Sequence, residues 1–121
     1  MANPTVLIVD DARTSILAAS LALKGAGYRV LTAASAREGL TLAAAERPDL
    51  ILMDVVMPEM SGLEALRELR RTSATKDIPV ILATSSPERL EDEVLPQWDD
   101  CIAKPVQADL LLAKIRRLLG R

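Results

Sequence analysis

Three uninterrupted aliphatic runs, at Thr5–Val9, Leu50–Met53 and Val80–Ala83, do most to restrict what this chain can fold into. A strand reads as a continuous apolar run when both of its faces are covered, as happens to the inner strands of a parallel sheet. Between the runs, apolar residues recur at helical spacing. Ile16, Leu17, Ser20, Leu21 and Leu23 lead up to Gly25-Ala26-Gly27. Ser35–Glu46 reads as helix, with Ser35 as N-cap and Glu38 three residues on in the capping-box pattern. Leu63–Arg71 is amphipathic. Pro87–Leu95 reads as a short acidic helix that Ser86 caps and Pro96 ends, and Ala108–Leu119 as a last helix. Tyr28–Thr32 alternates like a half-covered strand, and Cys101–Ala103 supplies a final short one.

Five β-α pairs with short connections imply an α/β fold: a five-stranded parallel sheet, doubly wound, with helices on both faces. A central first strand and an edge second strand suit the flavodoxin-like order 2-1-3-4-5. At 121 residues the chain has the length of one domain, so residues 1–121 are read as one unit. Lys+Arg 15 against Asp+Glu 17 leaves a net charge of −2, with no basic cluster that would mark direct nucleic-acid binding. One cysteine excludes an internal disulfide, and the absence of histidine removes imidazole as base, metal ligand or phosphoryl carrier. No apolar run approaches a membrane span and Met1-Ala2-Asn3-Pro4 lacks a signal-peptide pattern, so no membrane partner and a cytoplasmic location are expected.

In such a sheet, ligands sit beyond the carboxyl ends of the strands, at the switch point between strands 1 and 3. Asp10 and Asp11 follow strand 1, Asp54 follows strand 3, Thr84 follows strand 4 and Lys104 follows strand 5. Taken singly, each has an ordinary reading: a carboxylate after a strand is more often a helix cap or a solvated loop residue, Thr84 a capping hydroxyl and Lys104 a surface charge. Together, three acids, a hydroxyl and an ammonium at one rim have the composition of phosphoryl transfer. A carboxylate can attack phosphorus and form an acyl phosphate, provided its repulsion from the anionic donor is relieved. Mg²⁺, which favours carboxylate, phosphate and water oxygens, would relieve it if held by Asp11 and Asp54 with support from Asp10. Lys104 would bind one transferred oxygen and Thr84 another. No base is required, since Asp54 is ionised at neutral pH.

The segments Val-Asp-Asp (9–11), Met-Asp-Val-Val-Met-Pro-Glu-Met-Ser-Gly (53–62), Ala-Thr-Ser (83–85) and Ala-Lys-Pro (103–105) resemble, in order, the four signature blocks of response-regulator receivers. The resemblance spans essentially the whole chain. It implies Asp54 as phosphoacceptor, Asp10 and Asp11 as the acid pair, Thr84 as the switch hydroxyl, Lys104 as the phosphoryl-binding ammonium and the Val56 carbonyl as a Mg²⁺ ligand. It also implies a cis bond at Lys104-Pro105. The implied partners are a histidine kinase or phosphotransfer protein and an output protein the sequence does not name, with a homodimer on phosphorylation as a further option.

The chain departs from the family pattern on the output side. Cys101 stands where the family usually has Tyr or Phe, and Gln97-Trp98 replaces the usual Gly-Ala before the acidic pair Asp99-Asp100. A thiol is too small for ring rotation to carry the signal, so transmission is expected through the loop after Thr84 and the helix at 87–95. Met53, Met57 and Met60 are read as packing, Trp98 as a half-exposed loop residue, and Asp99 and Asp100 as solvated acids. Gly62 is expected to permit a close helix approach or a special backbone angle. In the last helix, Leu111, Leu112, Ile115, Leu118 and Leu119 form one apolar arc, leaving Leu110 on the polar face between Lys114 and Arg117, read as an ordinary exposed leucine with a partner or dimer contact as the alternative. Two other readings compete with a phosphorylated receiver: a receiver that binds partners without phosphorylation, and a small aspartyl-nucleophile phosphohydrolase. The phosphohydrolase would need a second acid two residues after Asp54, where Val56 stands. Nucleotide binding is the weakest reading, since there is no glycine-rich fingerprint and no P-loop.

Overall fold

The computed structural model describes residues 3–87, 90 and 98–120. The elements run β1 (Thr5–Val9), α1 (Arg13–Gly25), β2 (Arg29–Ala33), α2 (Ala36–Glu46), β3 (Leu50–Asp54), α3 (Gly62–Arg71), β4 (Val80–Thr84), β5 (Asp100–Ala103) and α4 (Ala108–Leu119). All strand pairs are parallel, in the order β2-β1-β3-β4-β5. The expected topology is therefore observed, with β3 and β4 buried at every position. Ends differ by a residue: β2 begins at Arg29 rather than Tyr28, and β5 begins at Asp100. The helix expected at 87–95 falls largely outside the described residues; of that stretch Pro87 and Leu90 are described, and Leu90 is buried.

Side-chain alternation splits the sheet into two apolar layers. Leu7, Val9, Ile51, Met53, Val80 and Leu82 pack with α2 and α3. Val6, Ile8, Leu50, Leu52, Ile81 and Ile102 pack with Leu23 of α1 and with Leu111 and Ile115 of α4. Met53 and Met57 are buried in the first layer and Met60 and Trp98 are half-buried against it, in line with the packing roles read from sequence. Helix α1 departs from expectation. Its buried face is Ala19, Ser20 and Leu23, whereas Leu17 and Leu21 are 61% and 64% exposed. Leu17 and Leu21 lie one residue past Ile16 and Ser20, so they stand about 100° around the helix from the core-facing stripe.

The helix starts show where local polar pairing is complete. Ser35 Oγ accepts the Glu38 N–H at 3.2 Å, but the Glu38 carboxylate reaches past Ser35 to the Ala34 N–H at 3.1 Å. The reciprocal box forms instead at α3, between Ser61 and Glu64.

Asp99 is exposed, as its position in a polar loop suggests, and Asp100 is half-buried, but both are paired. Asp99 accepts the Val80 N–H at 2.8 Å and pairs with Arg70 at 3.1 Å, while Arg70 also donates to the Ile78 carbonyl at 2.8 Å. The start of β4 is thereby tied to the end of α3. Asp100 accepts the Cys101 N–H and both Lys114 and Arg117, joining β5 to α4. Burial works against its charge, yet these donors outweigh burial and hold its pKa below the usual carboxylate value. Such a group contributes stability above the ordinary aspartate pKa and loses it as pH falls through the depressed one. Asp100→Ala should therefore destabilise the fold by about 1–2 kcal/mol at neutral pH. Urea melts should show that difference shrinking in acid; a gap that is constant with pH would mean the carboxylate charge is not involved.

Candidate functional site

The strand ends carry the polar residues that the sequence singles out, and parity decides where each one points. Ile8 and Leu52 face the α1/α4 layer, so Asp10 and Asp54, two residues further along, turn to the same side. Ile102 does the same for Lys104. Leu82 faces the α2/α3 layer, and Thr84 follows it there. Asp54 and Thr84 are the last residues of β3 and β4 and so belong to the sheet, not to the loops beyond it. The rim backbone is bonded across strands: Asp10 N to Ala33 O at 3.1 Å, Val55 N to Ala83 O at 3.0 Å and Lys104 N to Thr84 O at 2.9 Å.

Asp10, Asp11 and Asp54 converge, each offering a carboxylate oxygen within 4.8 Å of the others. Asp10 and Asp54 are buried and Asp11 is exposed. Lys104 Nζ lies 3.1 Å from Asp54 and 3.4 Å from Asp10, so one ammonium serves two buried carboxylates. Asp10 also accepts the Ala12 N–H at 2.9 Å, at the start of α1. Burial raises the Asp54 pKa most. Asp10 adds to the rise, while Lys104 and the Val56 N–H oppose it. For Lys104, burial disfavours the ammonium, but Asp54 and then Asp10 outweigh it and hold its pKa above the usual lysine value. Both partners shift upward because one cation cannot compensate two desolvated anions.

The loop after β3 is set by Gly62. A Cβ there would stand 2.1 Å from the Asp54 carbonyl oxygen, and the Gly62 N–H donates to Val55 O at 2.8 Å. Of the two reasons expected for this glycine, close approach is the operative one, since its φ is not positive. Val56 is 74% exposed on this loop. Thr84 Oγ accepts the Ser86 N–H at 3.1 Å, which leaves the hydroxyl proton available for donation. The Lys104-Pro105 bond is cis, as the resemblance implied.

The donor set fits a hard divalent cation. It is all carboxylate oxygen, two of its members are fixed by strand ends, and its charge exceeds what Lys104 supplies.

The model of the response regulator receiver domain matches residues 6–116. The chain belongs to that family. As a receiver it is 39% identical over 120 residues to the transcriptional regulatory protein AfsQ1 of Streptomyces coelicolor, covering 98% of this chain and 52% of that protein. The receiver thus spans about half the length of several curated relatives it matches. Among solved structures, it resembles the chemotaxis protein CheY4 of Vibrio cholerae, with a TM-score of 0.90, 36% identity and coverage of 98% and 100% of the two chains. It also resembles the receiver domain of the sensor histidine kinase PA1611 from Pseudomonas aeruginosa, which has a magnesium ion coordinated in its active site cleft. There the TM-score is 0.90, with 28% identity and coverage of 99% and 100%. No helix among the receiver's described residues is long and apolar enough to cross a membrane.

Proposed function

We propose that this receiver takes a phosphoryl group from a histidine kinase or phosphotransfer protein onto Asp54, in a Mg²⁺-dependent reaction, and thereby switches its protein contacts. The observation that carries this reading is the setting of Asp54: a buried carboxylate at a strand end, among two further acids and 3.1 Å from an ammonium. Asp10, Asp11, Asp54 and the Val56 carbonyl would hold the metal, which when bound neutralises charge on the entering phosphoryl group. An Asp54 oxygen forms the new bond to phosphorus, and the bond from phosphorus to the donor breaks with its electron pair on the leaving group. Lys104 then exchanges its carboxylate partners for a phosphoryl oxygen. Thr84 turns its hydroxyl proton to another. Val56, in place of an acid two residues after Asp54, leaves the acyl phosphate without the general acid–base group a phosphohydrolase would need.

For output, Trp98 and Cys101 pack against the α2/α3 layer, the side toward which Thr84 turns. Movement of Thr84 would therefore reach them without an aromatic ring at position 101.

Acetyl phosphate or phosphoramidate with Mg²⁺ should add one hydroxylamine-labile phosphoryl group by intact mass, and Asp54→Asn should abolish it. A hydroxylamine-resistant adduct on serine or threonine in the wild type would overturn the assignment.

A further inference from the structure

A cleft of about 290 Å³ opens between α1 and α4, directly beneath the acidic rim. It exists because α1 turns Leu17 and Leu21 outward and lines the cleft with small residues: Ala19 buried, Ala22 half-buried and Ala18 at the exposed edge. Ile8 and Leu52 make the floor, and Leu111 of α4 stands among the wall residues. At the rim end the lining becomes charged, with Asp10, Asp54 and Lys104. An apolar chamber with a few converging polar groups at one end is the usual build of a small-molecule site. A dry cavity of about 150 Å³ suffices for benzene, so this cleft has room for a larger apolar body.

The polar end selects the ligand's head. Asp10 and Asp54 are 6% and 5% exposed and share one ammonium, so the cleft mouth carries an excess negative charge away from water. An anionic head would add to that excess. A second cation would relieve it.

We propose that the α1/α4 cleft binds a small hydrophobic amine, its apolar body against the alanine face of α1 and its ammonium on Asp10 and Asp54, and that this ligand blocks phosphorylation. The proposal rests on Asp54 being the phosphoacceptor for its regulatory part only. With the ammonium in place, the two carboxylates are neutralised from the cleft side. Mg²⁺ then loses the charge that attracts it, and the phosphoryl donor loses its nucleophile.

The test uses n-alkylammonium ions from butyl to heptyl and the matching n-alkanols, followed by amide NMR. The amines should shift Ala19, Ala22 and Leu111, with affinity rising about fourfold per methylene until the cleft is full. Millimolar Mg²⁺ should weaken the amines and leave the alkanols unaffected, and saturating heptylammonium should slow labelling by acetyl phosphate. Ala22→Leu should fill the cleft, weakening heptylammonium at least tenfold while labelling proceeds as in the wild type; Ser15→Leu, at another α1 residue that lines the cleft, serves if that variant fails to fold. Affinity independent of chain length, or heptylammonium binding unchanged in both variants, would overturn the proposal. Labelling without amine reads the phosphoacceptor role separately. If no adduct forms but the chain-length series and the Mg²⁺ competition persist, the cleft stands and the role of Asp54 falls.

Discussion

Gly62→Ala should destabilise this receiver by about 2–3 kcal/mol, the upper range for forcing atoms into a packed interior. The added Cβ would sit 2.1 Å from the Asp54 carbonyl oxygen, 2.9 Å from its carbon and 3.0 Å from Met53 Cγ. The first two are backbone atoms of β3, which is paired on both sides with β1 and β4 and cannot yield cheaply. Helix α3 resists retreat too, because its N-terminus is held by the Gly62 N–H bond to Val55 O and its Leu66 and Leu69 are buried in the layer against the sheet. The strain would therefore fall on the peptide that carries Asp54, and labelling should slow by more than the loss of folded protein explains. Gly25→Ala is the control. Nothing lies within 4 Å of a Cβ there, and alanine is the better helix former by about 1 kcal/mol, so that variant should match or exceed the wild type. Urea melts that place Gly62→Ala within about 0.5 kcal/mol of Gly25→Ala would show that β3 and α3 adjust freely and that the close approach carries no strain.

Gly62 also marks the limit of what the sequence discloses. A glycine at that spacing invites two explanations, and only the distance to Asp54 separates them. The sheet order was legible because a strand covered on both faces must be apolar throughout, and Leu50–Met53 and Val80–Ala83 advertise that state. Asp10, Asp11, Asp54 and Lys104 were legible for a related reason: each breaks an apolar run at the end where this topology gathers its ligands. Ser61 and Glu64 carry the capping signal in plain form, three residues apart at the start of α3. Asp99 and Asp100 carried none, because Arg70 lies 29 residues from Asp99 and Lys114 lies 14 from Asp100. No local pattern announces such partners. The outward turn of Leu17 and Leu21 was hidden similarly. Their spacing is helical, but which stripe of a helix meets the sheet depends on the partner layer, and so does the cleft that the alanines leave.

Lys104→Ala should have the second large effect, and its sign should depend on both pH and Mg²⁺. In the metal-free receiver Lys104 is the shared cation of Asp54 and Asp10, whose side chains are 6% and 9% exposed, while its own is 25% exposed. Removing one partner from a buried charge group costs about 3–5 kcal/mol, and the partial exposure of Lys104 reduces that to about 2–3 kcal/mol. Burial already raises the Asp54 pKa, Asp10 adds to it and Lys104 opposes it. A folded-state aspartate pKa above its unfolded value means the folded state binds the proton more tightly, so stability falls as pH rises from the ordinary value through the raised one. Without Lys104 the rise is larger, so the deficit of the variant should be greatest near pH 7 and shrink as Asp54 protonates in mild acid. A divalent cation held by the same carboxylates would restore the missing charge. Mg²⁺ should therefore raise the melting temperature of Lys104→Ala more than that of the wild type, by the linkage between binding and folding. Labelling by acetyl phosphate should still be slower in the variant, because a phosphoryl oxygen has lost its ammonium. Urea and thermal melts with and without Mg²⁺, at two pH values, separate these effects. A variant as stable as the wild type at neutral pH, and no more responsive to Mg²⁺, would show that Asp10 and Asp54 do not depend on Lys104 for their charge balance.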